Sequence, residues 1–192
     1  MPVRLLVSGE HACFPRPECR IDRVTYDVMT PAAARGVLDA IHWRPGMRWI
    51  VDAIQVLHPV ERLWRPDPPA TGARTLILRD VAYLVEAHFE LSAVEAERNG
   101  SGQHAAMFKR RARAGQSRFP LYLGDRDFSA HVQLLSKDDP LPPRRFPAGD
   151  IDFGWLLHDV VREGGREPQF FRAIARDGLI RVPREGDPEL VR

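Results

Sequence analysis

The stretch Arg74-Thr75-Leu76-Ile77-Leu78-Arg79-Asp80-Val81-Ala82-Tyr83-Leu84-Val85-Glu86-Ala87-His88-Phe89-Glu90-Leu91 decides the fold class. Val81, Tyr83, Val85, Ala87, Phe89 and Leu91 face one way, and Asp80, Glu86, His88 and Glu90 face the other. This period of two predicts a strand with one buried face. Upstream, residues 47–58 read as a second strand. Between the two, residues 59–73 hold Pro59, Pro66, Pro68 and Pro69 and are expected to form a loop or excursion.

Thr30-Pro31 is a helix start, an N-cap followed by Pro at the first helical position. Ala34, Val37, Leu38 and Ile41 then form one buried stripe, opposite a polar stripe of Arg35, Asp39 and His42. Pro45 and Gly46 end that helix. Residues 3–8 read as the first strand, 9–22 as irregular, and Val24 to Val28 as a short strand. Downstream of the opening stretch, residues 98–102 (Arg98-Asn99-Gly100-Ser101-Gly102) are expected to turn. A second helix runs from about Gln103 to Ala114 and is stopped by Gly115. Residues 128–135 read as a further strand. Through residue 135 the order is strand, helix, strand, strand, helix, strand, the ferredoxin-like split βαβ pattern that RNA-binding RRM modules share.

The expected class is therefore α+β. A ferredoxin-like βαββαβ domain spans residues 1–136, and a C-terminal extension spans 137–192. Within the extension, 137–149 is Pro- and charge-rich, and 151–161 reads as a buried strand, with a helix as the alternative. Residues 168–177 are expected to be helical, and 178–183 to close the chain as a strand.

A chain of 192 residues is long enough to bury a core unaided. It has no apolar run of the ~20 residues that a membrane helix needs. Its first residues, Met1-Pro2-Val3-Arg4-Leu5-Leu6-Val7, do not read as a secretory signal, so a cytoplasmic protein with no membrane is expected. Cys13 and Cys19 are the only cysteines, too few for a disulfide framework. His11, Cys13 and Cys19 offer three zinc ligands, but no fourth stands at finger spacing, so ordinary cysteines and no metal or cofactor are expected.

The net charge is only +2, yet it is unevenly placed. Two lysines, Lys109 and Lys137, stand against 26 arginines, whose planar forks suit phosphate. Residues 98–124 hold Arg98, Lys109, Arg110, Arg111, Arg113 and Arg118 and no acid. They carry +6 and leave −4 on the rest. A one-signed field of this kind points to a polyanion more than to a plain solvated helix face. The same segment opens with Gly100-Ser101-Gly102-Gln103-His104 at a helix start, where free N–H groups and the helix dipole attract an anion. His104 sits close enough to that anion for proton transfer near neutral pH, although a turn with a surface histidine fits the pattern too. His42, beside Trp43 at the end of the first helix, is the second candidate. The dipole there favours its imidazolium, and a simple helix-capping cation is the alternative reading. His88, between Glu86 and Glu90, reads as structural, and His11, His58, His131 and His158 show no pattern.

Several blocks, in order, resemble one known family. They begin with Cys13-Phe14-x-Arg16-Pro17-Glu18 and Arg23-Val24-Thr25-Tyr26-Asp27-Val28-Met29-Thr30-Pro31-x-Ala33-Ala34-Arg35-Gly36, then Ala40-Ile41-His42-Trp43-x-Pro45. Leu78-Arg79-Asp80-Val81-Ala82-Tyr83, Glu86-Ala87-His88-Phe89 and Met107-Phe108-x-Arg110-Arg111-Ala112-x-x-Gly115-Gln116 follow. Tyr122-Leu123-Gly124-x-Arg126-x-Phe128, Phe170-Phe171-Arg172-Ala173 and Asp177-Gly178-x-Ile180 complete them. Together they resemble the fifth Cas family of CRISPR systems in its type I-C form.

The resemblance implies a RAMP-type ferredoxin-like domain followed by a small β-rich C-terminal extension, residues 137–192 here, and a subunit of the Cascade complex. It implies metal-free cleavage of precursor CRISPR repeat RNA by 2′-hydroxyl attack, retention of the crRNA 5′ handle, and contact with other type I-C Cascade subunits. Target DNA would be met through that complex. The family's processing site pairs a residue before Trp-x-Pro with a Gly-Lys-His at the second helix. His42 and His104 fall on two of those positions, and Gln103 falls on the Lys, a departure that removes a phosphate-stabilising charge. The candidate catalytic residues are thus His42, Gln103 and His104. Candidate RNA contacts are Arg16, Arg23, Arg35, Arg44, Gly102, Lys109, Arg110, Arg111, Arg113, Arg118 and Arg126. The stretch after Pro59 is shorter than in relatives. Because of Gln103, a non-catalytic subunit that caps the 5′ handle is the alternative, and an unrelated RRM-like binder is a third reading, disfavoured by the missing RNP aromatics.

Overall fold

The computed structural model describes residues 2–19, 22–66, 74–136, 138–161 and 167–191. Lys137 and most of the Pro-rich stretch after Pro66 therefore lie outside the described residues. The strands are β1 (Val3–Ala12), β2 (Arg23–Val24), β3 (Met47–Val56), β4 (Glu61–Pro66), β5 (Arg74–Leu91), β6 (His131–Leu135), β7 (Asp150–Val161), β8 (Glu167–Arg176) and β9 (Leu179–Arg181). The two helices are α1 (Pro31–Ile41) and α2 (Ala93–Arg113). The protein is a sheet-dominated α+β structure.

The strand anticipated over residues 74–91 is β5, the spine of the sheet. Its neighbours run in the order β6-β1-β5-β3-β9-β8-β7, while β2 and β4 flank its first half. β1 and β3 pair antiparallel with β5, with Val3 opposite Ala87 and Trp49 opposite Phe89. The alternation in β5 sorts side chains between two clusters. Val81, Tyr83, Val85, Ala87 and Phe89 enter the main core with Val3, Leu5 and Val7 of β1. Ala82 and Leu84 join Leu57, Leu135 and Leu6 in a smaller cluster, as expected for the opposite face.

Helix α1 begins as its sequence requires. Thr30 Oγ1 accepts from Ala33 N at 3.1 Å, and Pro31 fills the first turn. Its stripe of Ala34, Val37, Leu38 and Ile41 is fully buried. In α2, Phe108 is buried with its ring centroid 4.7 Å from that of Trp49. Burying a side chain of that size contributes roughly 2 kcal/mol, which ties α2 to β3.

Three expectations are corrected. Residues 168–177 are not helical but form β8, which pairs antiparallel with β7. Phe171, Ala173 and Ala175 face in while Arg172, Ile174 and Arg176 face out, a period of two that wins over the segment's helix-compatible composition. The excursion after Pro59 contains a strand, β4, paired with the first half of β5 from Glu61↔Arg79 to Pro66↔Arg74. Its exposed edge tolerates Pro66 because an edge proline forfeits no ladder bond. The turn at residues 98–102 lies inside α2, which starts at Ala93 and bends at Gly100. The C-terminal strands extend the same sheet, β9 joining β3 through Ala53↔Arg181. Among the described residues, no helix is long and apolar enough to cross a membrane.

Candidate functional site

The site is assembled where the end of α1 meets the bend in α2. Ser92 Oγ caps α2 by accepting from Glu95 N at 3.4 Å. Ser92 N also donates to Gly46 O at 2.8 Å, which docks the helix start on the α1–β3 turn. Gly46 permits this approach, because a Cβ there would lie 2.6 Å from Ser92 Oγ on a backbone with φ of 83°. Further along α2, Gly100 breaks the helix with φ 66° and ψ 156°. In a straight helix nine residues separate two side chains by ~14 Å along the axis. Here Glu95 Oε1 and His104 Nε2 are 3.0 Å apart, because the chain bends between them at Gly100.

His104 and His42 are 4% and 3% exposed. His42 Nε2 lies 3.0 Å from His104 Nδ1. On the far side, Asn99 Nδ2 donates to Glu95 Oε1 at 2.8 Å. Beyond His42, Arg111 Nη1 stands 3.5 Å from Nδ1 and donates to Ile41 O at 3.0 Å. Trp49 Nε1 donates to His42 O at 2.9 Å. Arg111 and Trp49 thus satisfy the terminal carbonyls of α1 that have no partner within the helix.

This corrects two expectations for His42. It is not part of an exposed polar stripe, and the helix dipole does not hold it as an imidazolium. Burial, then Arg111, His104 and Arg44, push its pKa down to about 4, so the ring is neutral near pH 7. The cation at the end of α1 is Arg111. The Asn99 hydrogen bond, with that from His104, holds the Glu95 carboxyl below the usual range, so it is a carboxylate.

The pair forms the floor of a groove of about 530 Å³, walled by Arg44, Pro45, Arg98, Gln103 and Met107. Gln103 is exposed at its rim. Two imidazoles, an anion behind them and Arg44, Arg98 and Arg111 around them can move protons beside a bound phosphate.

The other candidates fall in different places. Gly102, Arg110 and Arg113 lie exposed on the second segment of α2, with Lys109 half-buried beside them. Arg118 stacks on Phe119, with its guanidinium carbon 5.3 Å from the ring centre. Arg35 is tied to Asp159 and donates to Trp49 O at 3.0 Å. With Arg126 it lines a separate groove of about 1000 Å³ that also holds Trp43 and Phe119. Arg23 pairs with Asp125 at 2.6 Å, and Arg16 lies 4.4 Å over the Tyr26 ring, both away from the histidines. His88 Nδ1 meets Asp52 Oδ2 at 2.8 Å across β3 and β5, a link within the sheet. Among the described residues, no three His, Cys, Asp or Glu side chains gather as metal ligands.

Sequence reasoning missed Glu95 and Asn99. The signal was present: Ser92-x-x-Glu95 is a capping-box pattern that marks a helix start ahead of the bend.

Fold and site define an α+β sheet protein with a buried carboxylate–imidazole–imidazole chain opening on a basic groove. A family model described as CRISPR-associated protein (Cas_Cas5), of the Cas5d form, matches residues 3–183. The chain is 38% identical to a CRISPR pre-crRNA endoribonuclease Cas5d of Mannheimia succiniciproducens, covering 94% of each chain. It is 34% identical to another of that name from Thermus thermophilus, covering 99% of this chain and 95% of the relative. A solved structure of a CRISPR-associated protein shares the fold, with a TM-score of 0.84 at 23% identity over 100% of this chain and 97% of the other. The chain belongs to the Cas5 family of CRISPR-associated proteins, in its type I-C form, Cas5d.

Proposed function

We propose that this protein is the cytoplasmic type I-C Cascade subunit that cuts precursor crRNA repeats without a metal and keeps the 5′ handle of the product. The observation that carries this reading is the His42–His104 pair, 3.0 Å apart and buried at the floor of a basic groove. It occurs in a chain whose relatives are named pre-crRNA endoribonucleases. In the reaction the 2′-oxygen attacks the adjacent phosphorus as one imidazole takes the 2′-hydroxyl proton. The bond from phosphorus to the 5′-oxygen breaks, and that oxygen acquires a proton. The products are a 2′,3′-cyclic phosphate and a 5′-hydroxyl. Arg44, Arg98 and Gln103 line the groove where the phosphate would sit, and Arg111 stands behind His42.

We read residues 1–136 as a ferredoxin-like RAMP domain. Support comes from the antiparallel order β6-β1-β5-β3, which places the fourth strand of the βαββαβ unit beside the first and the third beside the second. Residues 137–192 are then the β-rich extension. RNA and the other Cascade subunits are the proposed partners, with target DNA reached through the complex.

The test is cleavage of the cognate repeat RNA in EDTA by the full chain. His104→Ala is expected to abolish cleavage and leave binding largely intact, and undiminished cleavage by that variant refutes the assignment. The second reading, a subunit that caps the 5′ handle without cutting, is favoured by Gln103 alone. Robust cleavage by the purified protein rejects it, whereas a sharp gain on Gln103→Lys supports it.

A further inference from the structure

The ring nitrogens of the two histidines are arranged end to end with the groups on either side. Glu95 is 8% exposed, and its Oε1 receives both Asn99 Nδ2 at 2.8 Å and His104 Nε2 at 3.0 Å. A carboxylate only accepts, so His104 Nε2 carries the hydrogen of that contact. Where His104 carries a single ring hydrogen, that hydrogen is on Nε2 and Nδ1 keeps a bare lone pair. His42 Nε2, 3.0 Å away, must then be the donor. The same rule leaves His42 Nδ1 bare, and its neighbour Arg111 Nη1 at 3.5 Å is a donor, compatible with a lone pair. One proton order satisfies all three contacts.

Without the carboxylate the order is no longer forced. His104 can then carry its hydrogen on Nδ1 and donate to His42 Nε2. His42 would in turn carry its own hydrogen on Nδ1, facing the Arg111 N–H group, unable to accept a proton. The choice between a proton-accepting and a blocked His42 is therefore made at Glu95, two rings away.

We propose that Glu95 is a positioning residue for RNA cleavage: through His104 it sets the tautomer of His42 and makes His42 Nδ1 the acceptor of the 2′-hydroxyl proton. This rests on the cleavage reading above and assigns the base within it. The proton passes from the 2′-hydroxyl to His42 Nδ1 while the 2′-oxygen forms its bond to phosphorus. The electrons of the breaking bond go to the 5′-oxygen, which takes a proton from water. The resulting hydroxide is neutralised by the proton that His42 then releases. While His42 is charged, its Nε2–H donates to His104 and His104 donates to Glu95, so the carboxylate balances the imidazolium through two hydrogen bonds. The charged and titratable groups facing His42 are His104 and Arg111 of α2 and Arg44 of the α1–β3 turn, while Glu95 and Arg98 of α2 line the same groove further off.

The experiment compares the full-length protein with Glu95→Gln and Glu95→Asp. It measures single-turnover cleavage of cognate repeat RNA from pH 3 to 9 in EDTA, repeat affinity, and ¹⁵N-histidine spectra that report which ring nitrogen is protonated. For Glu95→Gln the expected result is a rate loss of ~30-fold or more with affinity within twofold, and an acid limb moved to lower pH as the imidazolium loses its counter-charge. The wild-type spectrum should show both rings protonated on Nε2, and the Gln variant a mixture. Glu95→Asp, which keeps the charge, should recover part of the rate. A wild-type spectrum with His42 protonated on Nδ1 overturns the proposal. So does a Gln variant with unchanged rate, or one whose rate falls with pH profile and tautomers unmoved. Should Glu95→Gln fail to fold, the wild-type spectrum and the Asp variant decide alone. If the wild-type protein binds repeat RNA and does not cut, the cleavage reading fails while the spectrum still tests the tautomer order.

Discussion

The bend at Gly100 is the feature on which the site depends, and replacing this glycine tests the whole arrangement. Gly100 adopts φ 66° and ψ 156°, a region that side-chain-bearing residues almost never enter. A Cβ there would meet nothing within 4 Å, so Gly100→Ala introduces backbone strain and no collision. That strain costs ~1–3 kcal/mol. At ~2–4 °C per kcal/mol for a chain of this size, the melting temperature should fall by ~2–12 °C. Gly102, two residues on, also has open space around a Cβ and no positive φ. There Ala should stabilise by ~0.4–1 kcal/mol, because it restricts the unfolded chain and suits a helix. The paired measurement is thermal unfolding by circular dichroism at one pH. In the Gly100→Ala protein, relief of strain by straightening α2 would also draw Glu95 and His104 toward ~14 Å apart along the axis, with loss of repeat cleavage. Two variants with equal melting temperatures, or a Gly100→Ala protein at least as stable as wild type, would refute the reasoning.

Further outcomes concern Arg111 and the pH dependence of stability. Arg111→Met removes the cation beside His42 and a donor to Ile41 O. The His42 pKa should rise from about 4 by NMR titration. The slope of log affinity for repeat RNA against log salt should flatten by about one unit if Arg111 contacts a phosphate. The pH dependence of stability combines two opposed groups. His42, depressed from 6.5 to about 4, makes the unfolded chain bind protons more readily, so its contribution is lost as pH falls from 6.5 toward 4. Asp39, raised by burial from 3.8 to about 6, works the other way and destabilises above that range, by about 1 kcal/mol after allowance for solvent screening. Asp39→Asn should therefore stabilise at pH 7 to 8 and lose that advantage below pH 4. His42→Gln should flatten the loss between pH 6.5 and 4. Both are read by urea unfolding across the pH range, and an advantage of Asp39→Asn that grows in acid would contradict the sign.

The central architecture was legible in the sequence because its signals are local. The alternation of β5, the Thr30-Pro31 helix start and the stripe Ala34, Val37, Leu38, Ile41 follow from backbone periodicity alone. The C-terminal third was harder. Residues 168–177 are a strand because Phe171, Ala173 and Ala175 are buried against neighbouring strands, a tertiary fact that outweighs local preference. β4 was hidden among prolines because an edge strand requires so little of its sequence.

The sequence by itself determined that residues 98–124 carry +6, that His104 lies within that charge behind a glycine-rich break, and that His42 stands at the end of the first helix before Trp43. Only the tertiary structure decided what those residues are to one another. The proximity of Glu95, His104 and His42 depends on a positive φ at Gly100 and on the docking of Ser92 against Gly46. The neutrality of His42 depends on burial and on Arg111, which comes from a helix 69 residues further along the chain. A pKa and a proton order are properties of distance and desolvation, and neither is encoded in spacing along the chain.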